Sequence, residues 1–511
     1  MKIAILILYF GVLIAIGLYC RKHTTDVNGF VLGGRSVGPW LTAFAYGTSY
    51  FSAVVFVGYA GQFGWKYGIA ATWAGIGNAL IGSLMAWFIL GRRTRIMSQH
   101  LDSATMPQFF GKRFGSDGLK IGSSIIIFIF MIPYTASLYN GLSRLFGMAF
   151  SIDYSVCILL MAILTAIYVI AGGYMATAIN DFIQGMIMLV GITAVIYAVI
   201  ESKSGFMTAL DGLARITDEK VTTTPGIFAS FFGPDPLNLL FVVILTSLGT
   251  WGLPQMVQKF YAITNEQAIQ KGTIISTLFA FVVAGGCYFL GGFGRLFSDQ
   301  IDIAANGFDS IIPTMLSGLS AGMIAMIVIL VLSASMSTLS SLVIASSSTL
   351  AIDLIKDNFA PNMSEAKQVF LMRVLIVIFI AISAVLALIQ YKSSVNFIAQ
   401  MMGISWGAMA GAFLAPFMYS LYSKKITTAA CWASFAFSVV LMTANMLIRP
   451  LFPAIMQSPI NAGAIAMLAG MIIVPIVSAL TAPPDRRLVD DAFKCYEKET
   501  TVPQYVALGK K

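Results

Sequence analysis

The sequence predicts an all-α, polytopic membrane protein. Three features carry that expectation: an apolar composition, a series of span-length apolar runs, and helix-breaking residues at the centres of two of those runs. Of 511 residues, 58% are hydrophobic and only 10% charged, whereas soluble chains carry about 25% charged residues. The mean hydropathy of +0.85 excludes a disordered chain, a secreted disulfide scaffold and an ordinary cytosolic enzyme. The net charge of +9 is not read as a nucleic-acid signal, because basic residues of membrane proteins collect in cytoplasmic loops.

A bilayer core needs roughly 20 mostly apolar residues per helix. About thirteen stretches qualify: 2–20, 38–64, 67–91, 122–148, 152–171, 176–200, 237–257, 272–296, 311–350, 369–390, 394–422, 427–449 and 459–482. The first is a helix rather than a signal peptide, since its basic residues follow the apolar run and no small-residue cleavage site precedes Arg21. With the C-terminus inside, basic residues cluster on one side: Arg21 to Arg35, Arg92 to Lys120, Lys259 and Lys271, Lys356 to Arg373, Lys424 and Lys425, and the tail from Arg486. The odd span count then puts the N-terminus outside. Loop 201–236 is long and of mixed charge, where the rule has little force. Cys20, Cys157, Cys287, Cys431 and Cys495 form no CxxC pair, and His23 and His100 fall in loops. Metal or Cys/His chemistry is not indicated.

Span two reads Gly47-Thr48-Ser49-Tyr50-Phe51-Ser52 at its centre, and span seven reads Gly249-Thr250-Trp251-Gly252-Leu253-Pro254. Unwound backbone at membrane depth is tolerated only where it lines a cavity or is buried in protein. Broken helices in corresponding places of two halves point to a transporter's substrate and ion site. These two lie five spans apart, as two five-helix repeats after one leading helix require. The same small residues also permit close helix packing.

Span nine carries Ser333-Ala334-Ser335-Met336-Ser337-Thr338-Leu339-Ser340-Ser341. Positions 334, 337, 338 and 341 share one helical face. Neutral hydroxyls and unwound carbonyls suit a hard, partly dehydrated cation, although membrane Ser and Thr also bond back to their own helix. Asp181 is the one acidic residue placed well inside a span. An intramembrane carboxylate marks an ion or proton path, or here a helix cap after the Gly172-Gly173 turn. No Arg or Lys is placed at mid-membrane, and Arg144 falls near the outer end of its span.

The motif Leu32-Gly33-Gly34-Arg35-Ser36-Val37-Gly38-Pro39, the run Met336-Ser337-Thr338-Leu339-Ser340, and the stretch Gly172-Gly173-Tyr174 through Asn180-Asp181-Phe182-Ile183-Gln184-Gly185 resemble the sodium/solute symporter family. The resemblance covers roughly residues 1–480. It implies a LeuT-type 5+5 inverted repeat working by alternating access. Residues 1–37 would be a leading helix and cytoplasmic loop, 38–422 the ten-helix transport core, 423–482 two additional helices and 483–511 a cytoplasmic tail. One sodium would be held by the carbonyls of Thr48, Phe51 and Ala334 and the hydroxyls of Ser337 and Thr338. A second, as in some members, would map to Asp181, Ser337, Ser340 and Ser341.

The implied function is sodium-coupled import of a small polar organic solute, such as an amino acid, carboxylate or vitamin-like compound, across a bacterial cell (inner) membrane. Tyr50 stands where proline carriers have an Asp, Thr246 lies near the place of their seventh-span tryptophan, and Gly252-Leu253-Pro254 looks more like pantothenate-type carriers. The residues expected to line the solute cavity are Ser49, Ser52, Trp73, Tyr134, Thr250, Trp251, Gln255 and Trp406. Proton coupling through Asp181 and sodium/sugar symport are the alternatives. A channel would need a charged ring or carbonyl filter, and an embedded enzyme would need clustered His or acidic residues at depth. The expected partners are the solute and membrane lipid, with neither nucleic acid nor an obligatory protein partner indicated.

Overall fold

The computed structural model describes residues 2–21, 25–150, 153–392 and 398–497. Within them the chain is almost wholly helical, with two isolated β-bridges. The expected tail beyond residue 497 lies outside the described residues, and its described part forms the short helix Arg486–Lys494.

Each predicted break has a local cause. The helix Pro39–Tyr50 starts with Pro39 in the first turn after Gly38 and ends at Phe51, whose backbone is extended (φ −89°, ψ 116°). Proline belongs in a first turn because its missing N–H is not needed there. In span seven, Pro254 imposes an extended conformation on the residue before it. Leu253 accordingly ends the helix Pro236–Gly252 at φ −83°, ψ 124°, and a new helix, Pro254–Ala262, begins with a 46° bend between the two. The extended residue follows Thr48 in one break and Thr250 in the other by the same interval, so the two broken helices match in local design as well as in order.

By length and apolarity nine described helices are able to cross a membrane, or ten with the bent pair, fewer than the thirteen expected. Two apolar stretches account for part of the difference, because each is interrupted at a positive-φ position that glycine adopts without strain. Gly68 (φ 62°) interrupts Val54–His100, and Gly173 (φ 54°) interrupts Tyr154–Glu201. Span nine also begins later than expected. Residues 311–317 form a separate short helix, and the main helix runs from Ala321 to Ser348.

That helix sits at the centre: 94% of its most apolar window is buried, against 33% for Pro459–Leu480 at the periphery. Small residues set the close approaches. A Cβ on Gly64 would stand 1.9 Å from the carbonyl oxygen of Gly291, so only hydrogen fits between these helices. The stretch Asn78–Met85 is π-helical, a winding that disturbs the regular backbone ladder. There the Gly82 carbonyl accepts from Tyr46 Oη at 2.8 Å and from Thr250 Oγ1 at 3.0 Å. One carbonyl thus ties both broken helices together.

The Gly33-Gly34-Arg35 motif forms a clasp at one end of the bundle. Gly33, Gly34 and Arg35 all have positive φ, which turns the chain so that Arg35 donates to the carbonyls of Ser103 (2.7 Å), Tyr261 (3.2 Å) and Ser98 (3.4 Å). Val37 pairs with the end of the second broken helix: its N–H donates to Ala262 and its carbonyl accepts from Thr264. Arg95 donates to the carbonyls of Ile263 and Thr264.

Candidate functional site

The first break faces the centre of the hydroxyl-rich helix. Thr338 Oγ1 lies 3.1 Å from the Thr48 carbonyl oxygen, 3.3 Å from that of Phe51 and 3.1 Å from that of Ala334. Ser337 Oγ donates to Thr48 Oγ1 at 2.7 Å, and all five residues are buried. A threonine hydroxyl has one hydrogen to donate. Three carbonyls therefore converge on a donor that satisfies one at a time, leaving an excess of acceptor lone pairs. Such an oxygen cluster without a carboxylate suits a small monovalent cation.

Asp181 is fully buried, but its surroundings differ from the expectation. Lys259, expected in a basic loop, is 1% exposed within the helix Pro254–Ala262. Its Nζ is 3.7 Å from Asp181 Oδ2 and donates to Ser341 Oγ at 3.0 Å. Lys259 is thus a buried basic residue within the helical bundle rather than a loop residue. The helix runs five residues past the predicted end of span seven, because the next helix starts only at its Asn265 cap. A cue was present: Gln255 and Lys259 are one turn apart, giving the buried helix a polar face.

Ser341 Oγ also lies 2.9 Å from Ser49 Oγ, whose hydroxyl bonds back to the Ala45 carbonyl as well. Ser340 Oγ bonds back to Ser337. Ser52 Oγ accepts from the Val54 N–H within the break.

The expected cavity residues divide in two. Tyr134 and Trp406 are buried edge-to-face, with ring centroids 6.0 Å apart. A Cβ on Gly249 would meet the Trp406 ring at 2.6 Å, which seats this pair against the second broken helix. Tyr134 Oη and Trp406 Nε1 are buried and face each other, and both amide atoms of Gln255 are buried without a hydrogen-bond partner. Buried polar groups are seldom left unpaired, and Gln255 is one of several buried polar side chains in this state.

The other candidates are engaged elsewhere. Thr250 bonds Gly82, and Trp251 Nε1 donates to the Ile81 carbonyl at 2.9 Å. Both hold the broken helix to the π-helical stretch. Trp73 Nε1 donates to the Phe231 carbonyl and its ring packs edge-on against Phe231. It anchors loop 201–236. Arg144, expected near a span end, stands 3.8 Å from Asp309.

Two matched broken helices, facing a hydroxyl-lined central helix and buried polar groups without partners, define a secondary transporter of the inverted-repeat class. The chain matches the sequence model of the sodium:solute symporter family over residues 30–436, and it belongs to that family. It is 29% identical to the osmoregulated proline transporter OpuE of Bacillus subtilis over 437 residues, 85% of each chain. It is 28% identical to a sodium/proline symporter of Staphylococcus aureus over 431 residues, 82% of this chain and 81% of that one. Its fold resembles a solved structure of a Na+-coupled sialic acid symporter in a substrate-bound outward-open state. The TM-score is 0.74 and the identity 16%, covering 95% of this chain and 99% of the other. The fold is LeuT-type, and the protein is a multi-pass membrane transporter of a small solute, driven by sodium, not an enzyme.

Proposed function

We propose that this chain imports a compact neutral or zwitterionic solute, with the driving sodium bound by the carbonyls of Thr48, Phe51 and Ala334 and the hydroxyls of Ser337 and Thr338. The observation that carries this reading is the convergence of three carbonyls on Thr338 Oγ1 at the break of the first core helix. The ten-helix core is 38–422, flanked by a leading helix and two additional ones. The N-terminus faces outward, and the arginine clasp lies on the cytoplasmic side.

In this reading the solute site is built from Tyr134, Trp406 and Gln255, with Ser49 and Ser52 contributed by the first break. The polar side chains there are uncharged, and the nearby Lys259 already faces Asp181. A solute carrying a single net charge would lack a counter-charge; one whose charges cancel would not. The relatives' names make proline the first compound to test. Tyr50 and Thr246, at the two positions where the proline-carrier pattern differs, favour a solute other than proline.

The test is a thermal-shift screen of purified protein against amino acids, carboxylates, vitamins and sugars, in sodium chloride and in choline chloride. A zwitterion or neutral compound that stabilises the protein only with sodium supports the reading. Stabilisation of the same size in choline overturns it. Uptake into proteoliposomes at fixed pH, with choline replacing sodium, separates sodium coupling from proton coupling through Asp181.

A further inference from the structure

We infer that the ammonium group of Lys259 stands in the position of a second cation, so that this chain binds one sodium ion rather than two. The inference rests on the sodium reading above and deepens it, since it concerns how many ions the cycle carries.

Asp181, Ser337, Ser340 and Ser341 are the four residues whose oxygens a second sodium would use. In the structure each is accounted for in another way. Asp181 faces the Ser337 hydroxyl and the Lys259 ammonium, and Lys259 Nζ, 3.7 Å from Oδ2, supplies the positive charge that this buried carboxylate needs. Ser341 Oγ accepts from the same Nζ at 3.0 Å. Ser337 Oγ turns toward Thr48 Oγ1, and Ser340 Oγ back to its own helix.

A buried carboxylate requires a compensating charge, and an ammonium on a tether meets that need without drawing an ion from solution. Lysine suits the place: it is a compact charge with three donors. One points to Ser341, the carboxylate lies beyond, and the Tyr174 ring stands 4.9 Å from Nζ on another side. A sodium entering beside Asp181 would meet this ammonium at close range, and two like charges in a buried site disfavour each other strongly. The main oxygen cluster lacks that conflict. It is built on Ser337, Thr338 and the carbonyls of the first break, while the Lys259 ammonium donates to Ser341, one turn further along the central helix.

The arrangement also gives Lys259 a mechanical place. It is rooted in the helix Pro254–Ala262, and the pair joins this half-helix to Tyr154–Glu201 across the bundle. Where a second sodium would bridge these helices only when bound, the side chain bridges them throughout.

Equilibrium binding of radioactive sodium to the purified full-length protein tests the inference without an identified solute. The wild type should bind one sodium per chain with a Hill coefficient of one. Lys259→Gln removes the tethered charge and leaves Asp181 in place, so it should bind two. Asp181→Asn with Lys259→Gln removes both charges and should return to one. Two sodium ions in the wild type would overturn the inference, as would a monodisperse Lys259→Gln protein that still binds one. Should Lys259→Gln fail to fold, the wild-type stoichiometry alone decides. No sodium bound to the wild type would overturn the sodium reading itself, a result distinct from binding two.

Discussion

Thr338 Oγ1 lies 3.1 Å from the carbonyl oxygen of Thr48, bridging the central helix and the break in the first core helix. The contact brings a side chain and an unwound backbone, nearly 300 residues apart in sequence, onto one point. Removing the hydroxyls on one side should therefore act on ion binding before anything else. Ser337→Ala combined with Thr338→Ala should weaken apparent sodium affinity at least about tenfold, since one buried polar contact is worth about 1 kcal/mol and two are lost. Solute affinity at saturating sodium should change less. Sodium titration of uptake checks this, and unaltered sodium dependence at normal expression would contradict the site.

Tyr134 Oη and Trp406 Nε1 are buried and face each other, and in the proposed reading both bond the solute. Tyr134→Phe and Trp406→Phe should each raise KM for solute about two- to tenfold, the value of a single hydrogen bond of about 0.5–1.5 kcal/mol. Sodium affinity should not move. An unchanged KM in both variants would place the solute elsewhere.

The clasp gives a prediction about stability. Arg35 donates to three carbonyls from two segments, and a lysine cannot reproduce the planar fork that reaches all three. Arg35→Gln should lower Tm by several degrees, and Arg35→Lys should recover only part of the loss. Thermal unfolding in detergent measures both. Full recovery by lysine would mean that charge alone, not geometry, holds the clasp.

Loop 201–236 has its own anchor. Arg295 Nη1 donates to Asp218 Oδ2 at 3.0 Å, and Asp218 closes a tight turn with Thr222. Burial pushes the Asp218 carboxyl up, but the Arg295 hydrogen bond, the Lys220 backbone N–H and the nearby positive charges outweigh it and leave it below the usual carboxylate range. A depressed folded pKa contributes stability that is fully present above the unfolded value of about 3.9 and is lost as pH falls through the folded value. Hydrogen exchange at 216–226 should therefore be steady from neutral pH down to about 4 and, after correction for intrinsic rates, rise below it. Asp218→Asn should show the raised exchange already at neutral pH, and equal exchange in the two proteins would remove the anchor from the account.

Much of this site is legible in the sequence, because the residues that break helices are chemically distinctive. Pro254 dictates the extended Leu253, and the hydroxyls at 337 and 338 share a face by helical spacing alone. Lys259 was not legible, since a charge at the end of an apolar run reads as a loop unless the next helix cap, Asn265, is used to place the helix end. Residue type and position in the sequence point Trp73, Thr250 and Trp251 to the cavity. Their hydrogen-bonding groups instead serve the Phe231, Gly82 and Ile81 carbonyls. Which carbonyls a fold leaves free depends on π-helical winding and loop placement, and neither has a local sequence signature.

The energetic consequence of one sodium per solute is a bounded accumulation. One charge crossing about 100 mV gains about 2.3 kcal/mol, and a tenfold sodium gradient adds about 1.4 kcal/mol. At about 1.4 kcal/mol per tenfold, a neutral or zwitterionic solute should concentrate about 500-fold. Two sodium ions would square that figure.

The central claim, electrogenic symport of sodium with a neutral or zwitterionic solute, is tested most directly by current. Proteoliposomes adsorbed on a solid-supported membrane should give an inward positive current when the solute identified by thermal shift is added in sodium chloride, and none in choline chloride. Sodium-dependent uptake of such a solute without any current would contradict the electrogenic account, and uptake that follows the solute gradient alone, indifferent to sodium, would contradict symport itself.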